Sequence, residues 1–482
     1  MAKVQHESGY TRAVMELINK IENSSEQMDS LVQDAALYFE TAAFQKNKLT
    51  TIKARYAEKN NELANSGKKA AETISTELQN IEQSLKNETS TQEEERQARL
   101  EKVIAVCDEI LSLSEGKDAE ETLDKSAKFL GTVLLLSPME GKRLPEVHQR
   151  LKPAYKAVLS VRLLDELMNE QSVKNQYLVK HYDSEKRFKD DEQDVQLSTV
   201  IYPIMFAAMF QDIGMQHPDA QKILKGSDKK LDPYRVLDPE DRKEMLKLTY
   251  QHTLDYIENG LGMRKYIGNS REERDVFMKE QTNALSFIKL ILRDIVKPQH
   301  GLGEIIKIPQ IYASVVLSTK RDYRAAELPK GCILIEQLAE KGSINKVVAK
   351  YFTRLVGHFP QGYGITYIPL SDQGEELDRY EYAIVSSLKP DDPFEPSCRV
   401  VTRNLTYIAS GPNMTIKRGV NLFFPKARKK LAKVDKEKLI KILEKLKHEF
   451  NEEHIENLIP PCWLPHDYFS LKKNQNLWSK AY

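Results

Sequence analysis

At 482 residues the chain is too long for one ordinary hydrophobic core, so two to four domains are expected. Charged residues make up 30% of it, yet the net charge is only +1, which excludes a global electrostatic bias towards nucleic acid or membrane. No apolar run approaches the ~20 residues that span a bilayer, and the N-terminus MAKVQHESGY lacks the apolar centre of a secretory signal.

In chain order, residues from about Tyr10 to Lys86 read as long helix. Val14, Ile21, Met28, Ala35, Ala42, Leu49 and Tyr56 fall seven apart, and Leu17, Leu31, Tyr38 and Ile52 sit three further on. Ser24 and Gln45 interrupt this stripe, which can support a coiled coil. Leu63, Ala70, Ile74, Leu78, Ile81 and Leu85 extend it. Two topologies satisfy the pattern. One is an antiparallel bundle that folds back near Ser24–Ser25 or Ser66–Gly67. The other is a dimer-forming or partner-binding coiled coil.

Asn87–Glu95 (NETSTQEEE) reads as a polar break before a helix through Leu100, Val103, Cys107 and Leu111. Ser112–Glu120 is a loop, and Thr122–Leu136 is another helix. A new helical block starts at Pro145, with Val158, Val161, Leu164 and Leu167 on its buried face. After the charged connector Lys186–Asp194, the apolar run Val200–Phe210 predicts a buried helix, and Gly214 and Pro218 stop it. LDPEDRKEM starts a further helix with Asp238 as N-cap and Pro239 in the first turn; helices continue to about Val296. Ile305–Ala326 and the segments after Leu328 extend the helical domain.

Beyond it, Ile365–Leu370, Tyr380–Ser387, Arg399–Thr402, Leu405–Ala409 and Val420–Phe424 alternate between Gly-, Pro- and Asp-rich turns and predict a small antiparallel sheet. Lys426–Phe450 is a basic amphipathic helix, read as a docking helix with a solvated lysine face. Trp463 and Trp478 are expected to tuck the remaining tail onto the body. The predicted architecture is therefore mainly α. A helical, coiled-coil-capable module spans 1–140 and an all-α domain 145–364. A β appendage covers 365–425, and the basic helix and tail 426–482.

The stretch FAAMFQDIGM (Phe206–Met215) resembles the metal-binding helix of HD-domain phosphohydrolases, A-A-L-L-H-D-I-G-K. Ala207, Ala208, Asp212, Ile213 and Gly214 match, whereas Gln211 stands at the motif His and Met215 at its Lys. The HD-GYP subgroup supplies further anchors in the same order. LDPED resembles its L-T-P-E-E helix start. Leu317, Arg321, Tyr323, Arg324 and Ala326 match the end of I-L-x-V-A-D-x-Y-D-A-L-T-S-D-R-P-Y-R-x-A, and Phe359, Pro360 and Gly362 resemble Y-P-x-G. The resemblance covers Tyr177–Asn404.

This resemblance implies a cyclic-di-GMP phosphodiesterase-like fold, whose chemistry needs two or three metal ions, Fe or Mn, held by converging imidazoles and carboxylates. That inventory is depleted here. Gln211 replaces the His, Thr249 falls at the next His, no His-His pair occurs between Gly260 and Ile305, and Tyr312 or Gln310 falls at the Asp. An amide and a phenol are poor ligands for such a centre. Asp212 is the remaining candidate metal ligand, with His181, His217, His252 and His300 scattered in the same domain. A plainer reading gives Asp212 and His217 to the turn. No P-loop, dinucleotide fingerprint, Ser-His-Asp set or Cys-His set is visible.

Arg321 and Arg324 match positions beside the nucleotide phosphates, where guanidinium forks suit phosphate oxygens. Their structural alternative is pairing with acids such as Glu327 to fix a helix end. Cys107, Cys332, Cys398 and Cys462 lie far apart with no C-x-x-C pair, which suits reduced thiols in a cytoplasm. The expectation is a cytoplasmic, non-catalytic signalling scaffold without a bound cofactor. It would engage protein partners or itself through the N-terminal helices, without a transmembrane segment or a nucleic-acid partner. The alternatives are a cyclic-di-GMP sensor that does not hydrolyse its ligand, and a phosphodiesterase with altered metal ligands.

Overall fold

The computed structural model describes residues 7–24, 29–138, 140–188, 193–409, 411–431 and 459–479. The chain is mainly helical with a small antiparallel sheet, as its periodicities predict. Among the described residues no helix is long and apolar enough to cross a membrane. Contacts divide the chain into two compact units. One gathers Met1–Asn19, Cys107–Met209 and Arg293–Tyr482; the other gathers Lys20–Val106 and Phe210–Leu292.

The second unit contains the heptad region from Leu31 onward, whereas Val14 and Leu17 fall in the first unit. After α1 (Gly9–Ile21), α2 (Leu31–Ala64) and α3 (Lys68–Ser114) are joined through Asn65–Gly67. Of the two fold-back points foreseen, the one at Ser66–Gly67 is therefore used; 25–28 lie outside the described residues. Cross-helix pairs run in opposite directions along the two helices. Lys102 binds Asp34 at 3.0 Å, Gln45 binds Glu95 at 3.1 Å, Lys48 binds Glu88 at 2.5 Å and Lys59 binds Glu77 at 3.0 Å. The less exposed positions step by three and four through Ala42, Gln45, Leu49, Ile52, Tyr56, Lys59 and Leu63 on α2, and through Ala71, Ile74, Leu78, Ile81, Leu85, Glu88 and Gln92 on α3. The heptads thus form an antiparallel two-helix coil within one chain.

The polar break expected at Asn87–Glu95 does not occur, since that segment lies inside α3. It contains no Gly or Pro, and glutamate and glutamine are good helix formers. Its hydroxyls bond back to the preceding turn, Thr89 to the Leu85 carbonyl at 2.8 Å and Thr91 to that of Asn87 at 3.0 Å. Glu88 and Gln92 also face α2.

The same unit holds α9 (Pro218–Lys225), α10 (Pro239–Asp255) and most of α11 (Arg271–Val296). Asp238 caps α10 as expected, accepting the N–H groups of Glu240 at 3.0 Å and Asp241 at 2.9 Å. A π-helical turn, Tyr256–Leu261, closes α10. The carbonyls exposed at that end are met by guanidinium groups of α3. Arg96 Nη1 donates to Leu261 at 2.6 Å and Met263 at 2.9 Å, and Arg99 Nε to Gly260 at 3.0 Å. Cations at a helix C-terminus complement both its unpaired carbonyls and its dipole.

The first unit is built on α5 (Leu144–Asn169), buried along most of its length, with a proline in its first turn. Packed with it are α4 (Ala119–Leu135), α12 (Glu304–Val316) and α14 (Lys346–Val356), and α13 (Lys330–Glu340) bridges α12 and α14. A helix buried on every side carries its polar groups into the core, and those groups need partners. Arg162 of α5 binds Glu115 at 2.5 Å and Asp165 at 3.1 Å. Arg187, only 1% exposed, binds both Asp165 oxygens at 2.9 Å and also Glu115, while the Tyr182 hydroxyl donates to Asp165. His148, also buried on α5, has its Nε2 2.6 Å from Ser137 Oγ and its Nδ1 2.7 Å from the Ser318 carbonyl. Burial holds this imidazole neutral, with a pKa pushed down to about 4.

Asp294 organises the turn after α11. Its carboxylate accepts four backbone N–H groups, from Gln299 and His300 at 2.6 and 2.7 Å and from Leu302 and Gly303 at 2.7 Å each. Those bonds hold its pKa below the usual carboxylate value against the opposing effect of burial.

The sheet orders β1 (Gly364–Tyr367), β2 (Glu381–Val385), β3 (Ser397–Val400) and β6 (Asn413–Thr415), with β4 (Thr402–Arg403) and β5 (Thr406–Tyr407) paired separately. Two details differ from the predicted strands. Val420–Phe424 pairs with β1 only through an isolated bridge, Tyr367 to Asn421, and the short strand at Asn413–Thr415 takes the edge beside β3.

The tail docks as the tryptophans suggested. Trp463 bridges to Gly364, donates its indole N–H to the Ala383 carbonyl at 3.1 Å and stacks on Tyr382 at 4.6 Å. A Cβ at Gly364 would lie 2.2 Å from the Trp463 carbonyl oxygen, and one at Gly131 would lie 2.3 Å from Trp478. Of the basic helix, α15 (Pro425–Leu431) is described, while 432–450 lie outside the described residues.

Replacing Arg187 with Met leaves the partly buried Asp165 and Glu115 with one guanidinium between them. The substitution is expected to lower unfolding stability by about 3–5 kcal/mol, read from urea denaturation.

Candidate functional site

The apolar run becomes α8 (Tyr202–Phe210), preceded by a π-helical turn at Leu197–Ile201. Every residue from Pro203 to Phe210 is buried. The helix then gives way to Gln211–Asp212 and a 3-10 turn over Ile213–Gln216, and His217–Pro218 opens α9. Gly214 is what this turn requires. A Cβ there would stand 2.1 Å from the Thr249 carbonyl oxygen and 2.7 Å from the Thr253 nitrogen. With hydrogen in its place, the Gly214 N–H donates to Thr253 Oγ1 at 3.0 Å, and that hydroxyl donates to the Gln211 carbonyl at 3.2 Å. The match to D-I-G thus has a packing cause: the turn lies directly on the backbone of α10.

Gln211, Asp212 and Met215 are partly exposed on this turn. Thr249, at the next motif position, is buried, and its backbone is what Gly214 touches. His217 caps α9, its Nδ1 accepting the Asp219 N–H at 3.2 Å, so the turn role expected of it holds and its proton sits on Nε2.

The structure brings together one pair that residue spacing did not reveal. The rings of His217 and His252 stack at 3.4 Å, within 4° of parallel. Phe39 of α2 meets both edge-on, at 5.5 and 5.9 Å. Tyr256 packs 5.7 Å from Phe39, and Tyr38 packs 5.5 Å from Tyr256 while donating to Asp255 at 3.0 Å. The two histidines are 35 positions apart, and the sequence carries no local signal for their pairing; it follows from packing Ala220 and Leu224 of α9 on Met245 of α10.

Burial lowers the pKa of both rings, and for His217 the neighbouring His252 adds to the effect. Two positive charges at this separation would repel by about 5 kcal/mol at an effective dielectric constant near 20. The stack is thus a neutral, hydrophobically seated pair. Parallel rings set their nitrogen lone pairs side by side and do not aim them at one point, which is not the geometry of a chelate.

The other candidates lie in the first unit. Tyr312 is fully buried on α12 and packs edge-on against Phe352 at 5.2 Å. Burial drives its phenol pKa well up, so it stays neutral. A Cβ at Gly331 would come 3.1 Å from its ring. Gln310 lies on the same helix, His181 ends α6 (Gln176–His181), and His300 gives its backbone N–H to Asp294.

Arg321 and Arg324 are exposed in the turn that follows α12. The helix expected to run to Ala326 stops at Val316, and a single 3-10 turn covers Ala325–Glu327. Tyr323 secures this end, donating to the Val316 carbonyl at 3.3 Å and packing on His148 at 4.9 Å. Glu327, the suggested partner of the arginines, pairs with Lys330 at 3.0 Å.

Among the described residues no three His, Cys, Asp or Glu side chains are grouped so that they could hold a metal ion. The donors among the described residues do not fit a two-metal centre. No protein-family model, curated protein or solved structure matches the chain.

Proton nuclear magnetic resonance is expected to place the titration midpoints of His217 and His252 below the ordinary 6.5. The unfolded chain then binds more protons than the folded one as pH falls through 6.5. The stability these neutral rings contribute is present above that value and is lost progressively below it. His252→Phe keeps an aromatic stack and should flatten this part of the stability–pH curve, measured by thermal unfolding between about pH 7 and pH 5.

Proposed function

We propose that the chain is a non-catalytic signalling or regulatory scaffold built on a degenerate HD-GYP-like helical domain. What carries the reading is the use made of the motif positions: where a hydrolase would present ligands, this chain presents packing groups. The Gln211 carbonyl and Gly214 serve the contact with α10, and Tyr312 is a core side chain. His217 caps a helix and lies face to face with His252. The helical hairpin of α2 and α3 is the partner-binding arm in this proposal. The cytoplasm is the proposed compartment, supported by four cysteines that are all free thiols.

The test is hydrolysis. Purified full-length chain supplied with Mn or Fe and cyclic di-GMP is expected to release no linear dinucleotide above a protein-free control. Turnover that depends on added metal and disappears in Asp212→Ala would refute the reading in favour of a phosphodiesterase with altered ligands.

The exposure of Arg321 and Arg324 on one turn favours a second reading, a cyclic-di-GMP sensor that does not cleave its ligand. Calorimetry separates the two. Binding heat in the wild type that vanishes in the Arg321→Ala/Arg324→Ala variant supports the sensor, and no heat in either protein removes it.

A further inference from the structure

The hairpin seam leaves α3 a second face. Glu94, Ala98 and Glu101 follow one another at four and three residues and so share one side of the helix. Glu101 lies nine residues, two and a half turns, beyond the seam residue Gln92, which turns this side away from α2. Within the second unit, that side shares a cleft of about 610 Å³ with the stretch 264–267 and with Phe277 of α11.

The stretch 263–266 is pinned in place. Gln97 of α3 donates to the Met263 carbonyl at 2.8 Å, and its side-chain oxygen accepts the Lys265 N–H at 3.2 Å. Gln281 accepts the Arg264 N–H at 3.2 Å. Tyr266 donates to Glu273 at 2.8 Å and packs 5.7 Å from Phe277. Ile267 follows directly, with 92% of its side chain exposed. Its exposure therefore does not come from a slack backbone. An apolar group already held at the edge of a cleft loses little freedom when a partner covers it, and apolar anchors rimmed by charge mark a surface meant for contact.

The charges divide by the element that carries them. The carboxylates come from α3, and Arg264 and Lys265 come from the loop. Glu93 is spent on Arg96 at 2.5 Å. Glu94, Glu101, Arg264 and Lys265 enter no ion pair among the described residues.

We propose that this cleft binds a short peptide segment of a partner protein, which places one apolar side chain against Ile267 and Phe277, a basic residue towards α3 and an acidic residue towards the loop. The four charges narrow the occupant. A purely apolar molecule would leave all of them unanswered. A polyanion such as nucleic acid would answer the two cations and meet two carboxylates, and a polybasic tail would do the reverse. A peptide with both signs around an apolar residue answers every group, and the charges then select partner and register. The inference deepens the scaffold reading and rests on it for the role of the α2–α3 arm. Peptide binding and hydrolysis are separate measurements, so either can fail alone.

The probe is an array of short synthetic peptides of random sequence, incubated with labelled full-length chain; retained peptides are then measured by fluorescence anisotropy. Peptides that bind are expected to carry an aliphatic or aromatic residue between a basic and an acidic one. Their binding should weaken between about 50 and 500 mM salt, where screening shortens the reach of surface charge. Ile267→Asp should raise each dissociation constant at least about tenfold. Glu94→Lys/Glu101→Lys should abolish the preference for the basic residue, and Arg264→Glu/Lys265→Glu that for the acidic one. All five positions are exposed, so the substitutions leave the core untouched, and circular dichroism checks the helix content of each variant. An array that retains no peptide overturns the proposal. So does Ile267→Asp binding the retained peptides as the wild type does. Retained peptides with charge of one sign only also overturn it, and give the cleft to a polyanion or a polycation instead.

Discussion

A guanidinium buried in a protein core must remain paired, and that requirement governs the first unit. Arg187 and Arg162 sit among helices with almost no access to water, and Glu115 and Asp165 are what allow them to be there. The four charges come from three places: the residue after α3, the C-terminal part of α5 and the segment after α6. Each must arrive for the others to be tolerated. Such a network adds little net stability over a well-packed apolar core of the same volume. What it supplies is exclusivity, because any arrangement that separates one member strands a charge. The neutral His148 and the four-fold accepting Asp294 apply the same constraint to uncharged imidazole and backbone groups.

The second unit solves a different problem. A long heptad stripe needs a partner, and the chain provides one by reversing at Asn65–Gly67. Polar members of the seam, Gln45, Lys59, Glu88 and Gln92, cost stability relative to leucine but fix how the two helices slide past each other. The base of the hairpin is tied to the QDIG turn by aromatic contact, since Phe39 touches both stacked histidines.

Local signals were read well where the physics is local. The Asp238–Pro239 helix start, the end of α11 at Val296 and the tail docking by Trp463 and Trp478 depend on residues acting over a turn or on one large buried ring. Asn87–Glu95 misled because its hydroxyls and amides suggest a loop in isolation, whereas α2 lies alongside to pair with it. The edge strand Asn413–Thr415 is three residues long and carries no alternation to detect. At the candidate site, Gly214 was legible as the residue that stops the helix, but its role in seating α10 was not, because the contact is with a backbone 35 residues away. The His217–His252 stack and the Arg187 network are invisible for the same reason: each joins segments that only the folded core makes neighbours.

The seating of the tail bears on how the protein is made. Gln475 accepts the Ser8 N–H at 2.7 Å and the Thr11 hydroxyl at 3.1 Å, so the first helix acquires these partners from a residue 467 positions downstream. Trp463 likewise closes a strand edge that has already left the ribosome by the time the indole is added. Translation at roughly 5–20 residues per second leaves that edge and the underside of α1 uncovered for many seconds, open to chaperones and to other nascent chains. The hairpin, by contrast, draws both its strands from one contiguous stretch and can zip up while the rest is still being synthesised.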